Sequence, residues 1–250
     1  MAIISINDVR GCILKSIEQA AMNFEKWTRN YWVTDYGAEG LIQARVAENL
    51  FNLQKNNKNQ ELAVGIEMSV SDLMYYEISS SHKRKLASAV IQENSRPDVC
   101  MWDKNGNVPY IIETKRRWEN GPAERDVKRC GDFLRIFAGE GGAGTRAAFF
   151  GVILHRSARN QGRMFFDLEE DLEIGKREGD QLLKKRTEQF LKEKAETFLG
   201  DGRRATLKVT AEVSKSHDFE HDKNWPYGEG SEDFADQWKW RAAVVQIQRA

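Results

Sequence analysis

Two apolar runs separated by an Asn-Gly pair constrain the fold of this chain more than any other feature. The runs cover residues 98–102 and 108–115, and Asn105-Gly106 lies between them. Asn-Gly favours two-residue turns whose twist matches that of paired strands, so the pattern predicts an antiparallel hairpin. The runs are apolar on both faces, and we therefore expect a hairpin that is covered on each side.

The hairpin brings acidic side chains together. A turn centred on the Asn-Gly pair places Asp98 directly opposite Glu113, with Cβ atoms about 5 Å apart. Because side chains alternate along a strand, Glu113 and Lys115 share a face, whereas Thr114 points the other way. Opposed carboxylates repel each other unless a cation lies between them, and a hard divalent ion is the simplest one. The alternative is a solvent-facing network of ion pairs.

Helices and strands are predicted on both sides of the hairpin. Before the hairpin, apolar spacing predicts helices over 9–24, capped by Asp8, and over 39–54, then a strand over 62–70 and a short helix near 85–92. After the hairpin, it predicts a helix over 121–138, a strand over 147–155, a helix over 176–199 and a strand over 205–213. Residues 238–247 fit a strand or a helix equally well. This order predicts an α/β (α+β) chain with a mixed central sheet flanked by helices.

The hairpin residues form a recognisable motif. Pro97-Asp98, followed on the next strand by Glu113-Thr114-Lys115, resembles the signature of the PD-(D/E)xK nuclease superfamily. The predicted elements between residues 37 and 155 also follow the α-β-β-β-α-β core order of that superfamily. The resemblance therefore implies a restriction-endonuclease-like core.

This resemblance implies a domain organisation. We expect residues 1–250 to form a single nuclease domain, with 37–155 as its catalytic core. Residues 1–36 would be an N-terminal helical extension, and 156–250 a C-terminal helix and strand elaboration.

The resemblance also assigns chemical roles. It implies Asp98 and Glu113 as ligands of Mg²⁺, for which Mn²⁺ can substitute, and the Thr114 carbonyl as a third oxygen ligand. Lys115 would orient or help to deprotonate the attacking water and stabilise the charge that develops at phosphorus. The implied activity is metal-dependent endonucleolytic hydrolysis of phosphodiester bonds in DNA that leaves a 5′-phosphate, as in restriction, phage defence or repair.

Many members of the superfamily add an acid from the helix before the first strand, and two candidates are present. Glu39 lies on the same helical stripe as Ile42 and Val46, which we expect to face the sheet. Glu48 lies instead beside Phe51. We favour Glu39 as the further catalytic acid, and Glu48 remains the alternative.

Charge restricts how the chain can contact nucleic acid. Lys and Arg number 38, equal to Asp and Glu, so the chain lacks the positive excess of a protein that coats nucleic acid indiscriminately. Contacts with double-stranded DNA must then be local, and we expect them from Arg116, Arg117, Lys128 and Arg129. Solvated surface charge is the alternative interpretation of each. The sequence leaves open whether the chain acts alone or as a homodimer.

The cysteines and the apolar runs indicate a compartment. Cys12, Cys100 and Cys130 are odd in number and widely spaced, which is unlike a disulfide framework and favours a reducing, cytoplasmic location. The first residues lack the features of a secretory signal. The longest apolar run, 147–154, is about half of what a membrane span needs, so no membrane partner is expected.

An alternative function belongs to a different class. A catalytically inert nuclease-fold module would bind nucleic acid or a protein partner without cutting. The opposed acids Asp98 and Glu113, together with Lys115, favour the enzyme, because a binding module has no need for them.

Overall fold

The computed structural model describes residues 4–28, 37–56, 62–74, 95–103, 107–137, 144–156, 180–201, 206–215, 217–218 and 239–250. The Asn105-Gly106 turn and the short helix predicted near 85–92 lie outside the described residues.

The strands form one mixed sheet. They are β1 (Leu62–Ile66), β2 (Val99–Asp103), β3 (Tyr110–Lys115), β4 (Ala147–Arg156), β5 (Leu207–Val213), β6 (His217–Asp218) and β7 (Lys239–Arg249). The order across the sheet is β1-β2-β3-β4-β7-β5, and the two-residue strand β6 pairs with β7. Strands β3 and β4 are parallel, and the other pairs are antiparallel.

Helices cover both faces of this sheet. They are α1 (Ile6–Trp27), α2 (Glu39–Asn56), α3 (Val70–Met74), α4 (Asn120–Ile136) and α5 (Asp180–Leu199). One hydrophobic core lies between the sheet and α1 with α2, and a second lies between the sheet and α4 with α5. The predicted mixed sheet flanked by helices is confirmed. Within the described part of the chain, no helix is both long and apolar enough to cross a bilayer.

The register of the predicted hairpin is confirmed. Val99 pairs with Ile112, and Cys100 pairs with Ile111, as a turn centred on the Asn-Gly pair requires. The predicted alternation along β3 is also present, because Ile111 packs into the α4 and α5 core while Ile112 packs into the α1 and α2 core. The same register extended by one step aligns Asp98 with Glu113.

Three local features differ from the sequence prediction. The strand predicted over 62–70 ends at Ile66, because Glu67 adopts a positive φ of 52° that interrupts the extended backbone, and Val70 begins helix α3. The N-cap of α1 is Ser5, whose hydroxyl accepts a hydrogen bond from the Asp8 amide, so the helix begins earlier than expected and Asp8 lies in its first turn. The ambiguous segment 238–247 contributes to strand β7. It lies between β4 and β5 and is buried on both faces, so its apolar run lacks the alternation that identifies a half-buried strand.

Candidate metal centre

The predicted site residues meet at one end of the β2–β3 pair. Asp98 directly precedes β2, while Glu113 and Lys115 lie in the second half of β3. Helices from both layers reach the same place: Glu39 is the first residue of α2, and Arg129 lies on α4. Both helices pack against β3.

Glu113 is the most constrained group of the site. Its side chain is fully buried, and neither Oε1 nor Oε2 has a hydrogen-bond partner among the described residues. Nη2 of Arg129 lies 3.1 Å from Oε1, in an ion pair that lacks hydrogen-bond alignment. Leaving a buried carboxylate without hydrogen bonds costs free energy, so this group is suited to receive a cation.

Asp98 is held in place by the neighbouring strand. Its Oδ2 accepts hydrogen bonds from the Thr114 amide at 2.6 Å and from the Thr114 hydroxyl at 3.0 Å. The residue is only 9% exposed. Thr114 therefore orients a predicted ligand through its amide and hydroxyl, and the role of its carbonyl as a metal ligand stays a prediction.

The two acids hold their protons more tightly than isolated carboxyls do. Burial raises the pKa of Glu113 well above its ordinary value, and the charges of Asp98 and Asp126 raise it further. Arg129 and Lys115 act in the opposite direction without offsetting the burial. Burial also raises the pKa of Asp98, against the effect of its hydrogen bonds to Thr114. A divalent ion would favour the ionised form of both acids.

Lys115 lies within an acidic environment. Its Nζ donates a hydrogen bond to Oε1 of Glu39 at 2.6 Å and lies 3.4 Å from Oδ2 of Asp126. Burial alone would lower the pKa of Lys115, but the bond to Glu39 and the charges of Asp126 and Asp98 outweigh it, and the pKa is raised. Lys115 is therefore an ammonium suited to orient water and stabilise negative charge, and poorly suited to accept a proton.

The structure separates the two candidate helix acids. Glu39 contacts Lys115, whereas Glu48 pairs with Arg45 at 2.7 Å and its side chain is 57% exposed. Because Glu39 begins α2 while Lys115 ends β3, the long lysine side chain can reach Glu39 at the C-terminal end of the strand. Only Glu39 of these two acids is brought to the predicted site.

Asp126 is a site acid that the sequence analysis did not select. Its side chain is 4% exposed and lies near both Lys115 and Arg129. A signal was present in the sequence, since Asp126 lies three residues after Ala123 and four before Cys130, both of which are buried. An acid on the buried stripe of an amphipathic helix indicates either a functional group or a paired charge.

The four basic residues expected to contact DNA occupy different environments. Arg129 is turned inward and is 20% exposed, in contact with Glu113 and with the Arg96 carbonyl. The remaining three lie closer to the surface: Lys128 pairs with Glu124 on α4, Arg117 pairs with Glu119, and Arg116 is half-buried. Arg129 is thus positioned to act inside the site.

The donor set fits a hard divalent ion. Mg²⁺ is usually bound through one or two carboxylates, and water fills its remaining positions. Asp98 and Glu113 supply two carboxylates, and Glu113 has no other hydrogen bond to lose among the described residues. In the described ranges, no group of three or more His, Cys, Asp or Glu side chains is arranged to hold a metal. A metal here would therefore depend on these two acids and on water.

Comparison of the chain with protein-family models, with curated proteins and with solved structures finds no match. A function for this protein must therefore come from the chemistry of its own residues.

The burial of Glu113 predicts an unusual dependence of stability on pH in the absence of metal. A carboxyl whose pKa is raised by folding stabilises the native state below its unfolded pKa of about 4.3, and this contribution is lost as the pH rises towards the folded pKa. In EDTA, we expect Glu113→Gln to stabilise the protein by about 1–3 kcal/mol at pH 8 and by less at pH 5. Urea denaturation at both pH values measures this difference.

The exposed Glu48 provides the matched control. Glu48→Gln should change the free energy of unfolding little at either pH. An effect of Glu113→Gln that is equal at pH 5 and pH 8 would contradict the assignment of a raised pKa to this carboxyl.

Proposed function

We propose that this protein is a divalent-metal-dependent endonuclease that hydrolyses phosphodiester bonds in DNA. The observation that carries the proposal is the fully buried Glu113 carboxylate, which lacks hydrogen bonds within the described residues and lies next to Asp98 and two residues before Lys115. Without a cation, such an arrangement is costly. With a metal ion, it supplies the ligands and the ammonium that phosphoryl transfer requires.

The local architecture supports a restriction-endonuclease-like core. In the sequence motif, Pro97-Asp98 directly precedes β2 and Glu113-Thr114-Lys115 ends β3, and the register of these paired strands, extended by one step, aligns the two acids. The major elements follow the order α2, β1, β2, β3, α4 and β4, as the PD-(D/E)xK resemblance implies, with the five-residue helix α3 inserted after β1. Both the motif and its setting therefore favour the same family of folds.

Each residue of the site has a distinct task in the proposed reaction. Asp98 and Glu113 would hold Mg²⁺, or Mn²⁺ in its place, and the bound ion would supply Lewis-acid stabilisation and an acidified water. Lys115 would orient that water and stabilise the charge that develops on the phosphate oxygens. Glu39 holds the ammonium of Lys115 and therefore acts as a positioning residue.

Surface cations beside the centre are the proposed contacts with the DNA backbone. Arg116 and Arg117 directly follow β3, and Lys128 lies on α4, whose inner face carries Asp126. Because Arg116 and Arg117 adjoin Lys115 in the chain, a strand bound by them would lie beside the reactive centre. A role in restriction, phage defence or repair is part of the same proposal.

One observation favours a second candidate, an inert module with a nuclease-like fold. The ion pair between Arg129 and Glu113 partly neutralises the site without any metal. A protein that had lost catalysis could retain such a pair as a structural contact while it bound nucleic acid or a protein partner. The two candidates differ in whether divalent metal promotes binding and cleavage.

The direct test is metal-dependent cleavage. We expect the wild-type protein with Mg²⁺ to cut supercoiled plasmid or linear duplex DNA, and Asp98→Ala to abolish cutting. Lys115→Ala should slow cleavage by about 10²-fold or more through the loss of electrostatic stabilisation. Wild-type protein that cuts no nucleic acid with Mg²⁺ or Mn²⁺, and whose affinity for DNA is unchanged by Ca²⁺, would favour the inert module.

A second test concerns the two helix acids. Glu39→Gln removes the charge that holds Lys115, and we expect the cleavage rate to fall by about 10²-fold because a catalytic group is misplaced. The affinity for DNA should change little. Glu48→Gln is the matched control on the same helix and should cleave normally.

The reverse outcome, slow cleavage by Glu48→Gln only, would transfer the role to Glu48. Full activity of both variants would mean that the hairpin residues act without a helix acid.

A further inference from the structure

Arg129 makes three contacts that join the parts of the metal centre. Its Nη2 donates a hydrogen bond of 2.7 Å to the Arg96 carbonyl and lies 3.1 Å from Oε1 of Glu113. Its Nη1 donates a hydrogen bond of 3.4 Å to Oδ1 of Asp126. Because Arg96 lies two residues before Asp98, the guanidinium connects the segments that carry both proposed ligands.

The charges around Glu113 make Arg129 its principal cation. Among the described residues, Asp98 and Asp126 are acidic neighbours of Glu113, and Arg129 and Lys115 are basic ones. The Lys115 ammonium is engaged by Glu39 at 2.6 Å. Within the described part of the chain, the cation in direct contact with Glu113 is the guanidinium of Arg129.

We propose that Arg129 is the resident counter-ion of the metal centre, which pairs with the ionised form of Glu113 while no metal is bound and releases it to the incoming ion. This inference rests on the proposed metal-dependent function. It follows that Arg129 competes with divalent metal for the same carboxylate and lowers the affinity of the centre.

Arg129 can release Glu113 at low cost. The contacts with Asp126 and the Arg96 carbonyl do not involve Glu113, so the guanidinium keeps two partners after the exchange. Its side chain is also 20% exposed, and solvent can satisfy a remaining donor. Glu113 in turn loses an ion pair with Arg129 that has no hydrogen-bond geometry, and it gains a bond to the metal ion. Asp126 is thus a positioning residue that retains Arg129 beside the centre.

The test measures Mn²⁺ affinity by calorimetry in the absence of DNA. Removal of a competing unit charge at this distance should tighten Mn²⁺ binding, and we expect Arg129→Gln to bind it at least about tenfold more tightly than wild type. Arg129→Lys keeps the charge and should remain close to wild type. Arg135→Gln is the matched control, because Arg135 also lies on α4 and faces a buried acid, Asp132, at 3.6 Å.

A measurement on the wild-type protein avoids any folding defect of these variants. The side-chain Nε resonance of Arg129 should shift in step with Mg²⁺ binding, whereas that of Arg135 should not. An Arg129 resonance that is unchanged when the centre is saturated would overturn the inference.

The outcomes separate this inference from the proposed function. If the wild-type protein binds Mn²⁺ and Arg129→Gln binds it equally or more weakly, the counter-ion role is wrong while the metal centre stands. If neither protein binds Mn²⁺, the metal centre fails and the counter-ion role fails with it. Tighter binding by Arg129→Gln alone among the arginine variants supports the inference.

Discussion

The arrangement of charged side chains around β3 depends on one constraint: the carboxylate of Glu113 is completely buried between two helical layers. Glu113 lies on a strand covered by α2 on one face and α4 on the other, where solvent cannot satisfy its oxygens. A single unpaired acid in such a position would be selected against on grounds of stability. The charged side chains around Glu113 partly compensate its burial. The free-energy cost that remains indicates that Glu113 has a functional role and does not serve packing alone.

The charges near Glu113 form a connected chain that ties the layers together. Glu39 at the start of α2 holds Lys115, Lys115 faces Asp126 on α4, and Asp126 holds Arg129, which returns to Glu113. This chain of charges therefore crosses from one helical layer to the other at the C-terminal end of β3. Every link pairs opposite charges, and Glu39 with Asp126 fixes the ammonium of Lys115. This order of charges would preorganise the site for the proposed metal ion.

The sequence predicted the mixed sheet and much of the geometry of the candidate site, because both depend on local patterns. The Asn-Gly pair predicted the register that aligns Asp98 with Glu113, and alternation along β3 predicted which residues share a face. The links made by Asp126 and Arg129 depend on how α4 lies over the sheet, and no local pattern encodes that placement. Arg129 in particular resembles any surface arginine in sequence, yet it is turned inward by partners distant in the chain. Likewise, β7 lacked a strand signature because burial on both faces removed its alternation.

Diffraction from crystals soaked in Mn²⁺, with anomalous differences recorded for the metal, tests the central claim most directly. The account predicts an anomalous peak within about 2.0–2.3 Å of carboxylate oxygens of both Asp98 and Glu113. It also predicts that the Arg129 guanidinium has moved away from Glu113 while remaining on Asp126. A structure at high Mn²⁺ concentration with no peak between the two acids, and with Arg129 still on Glu113, would contradict the account.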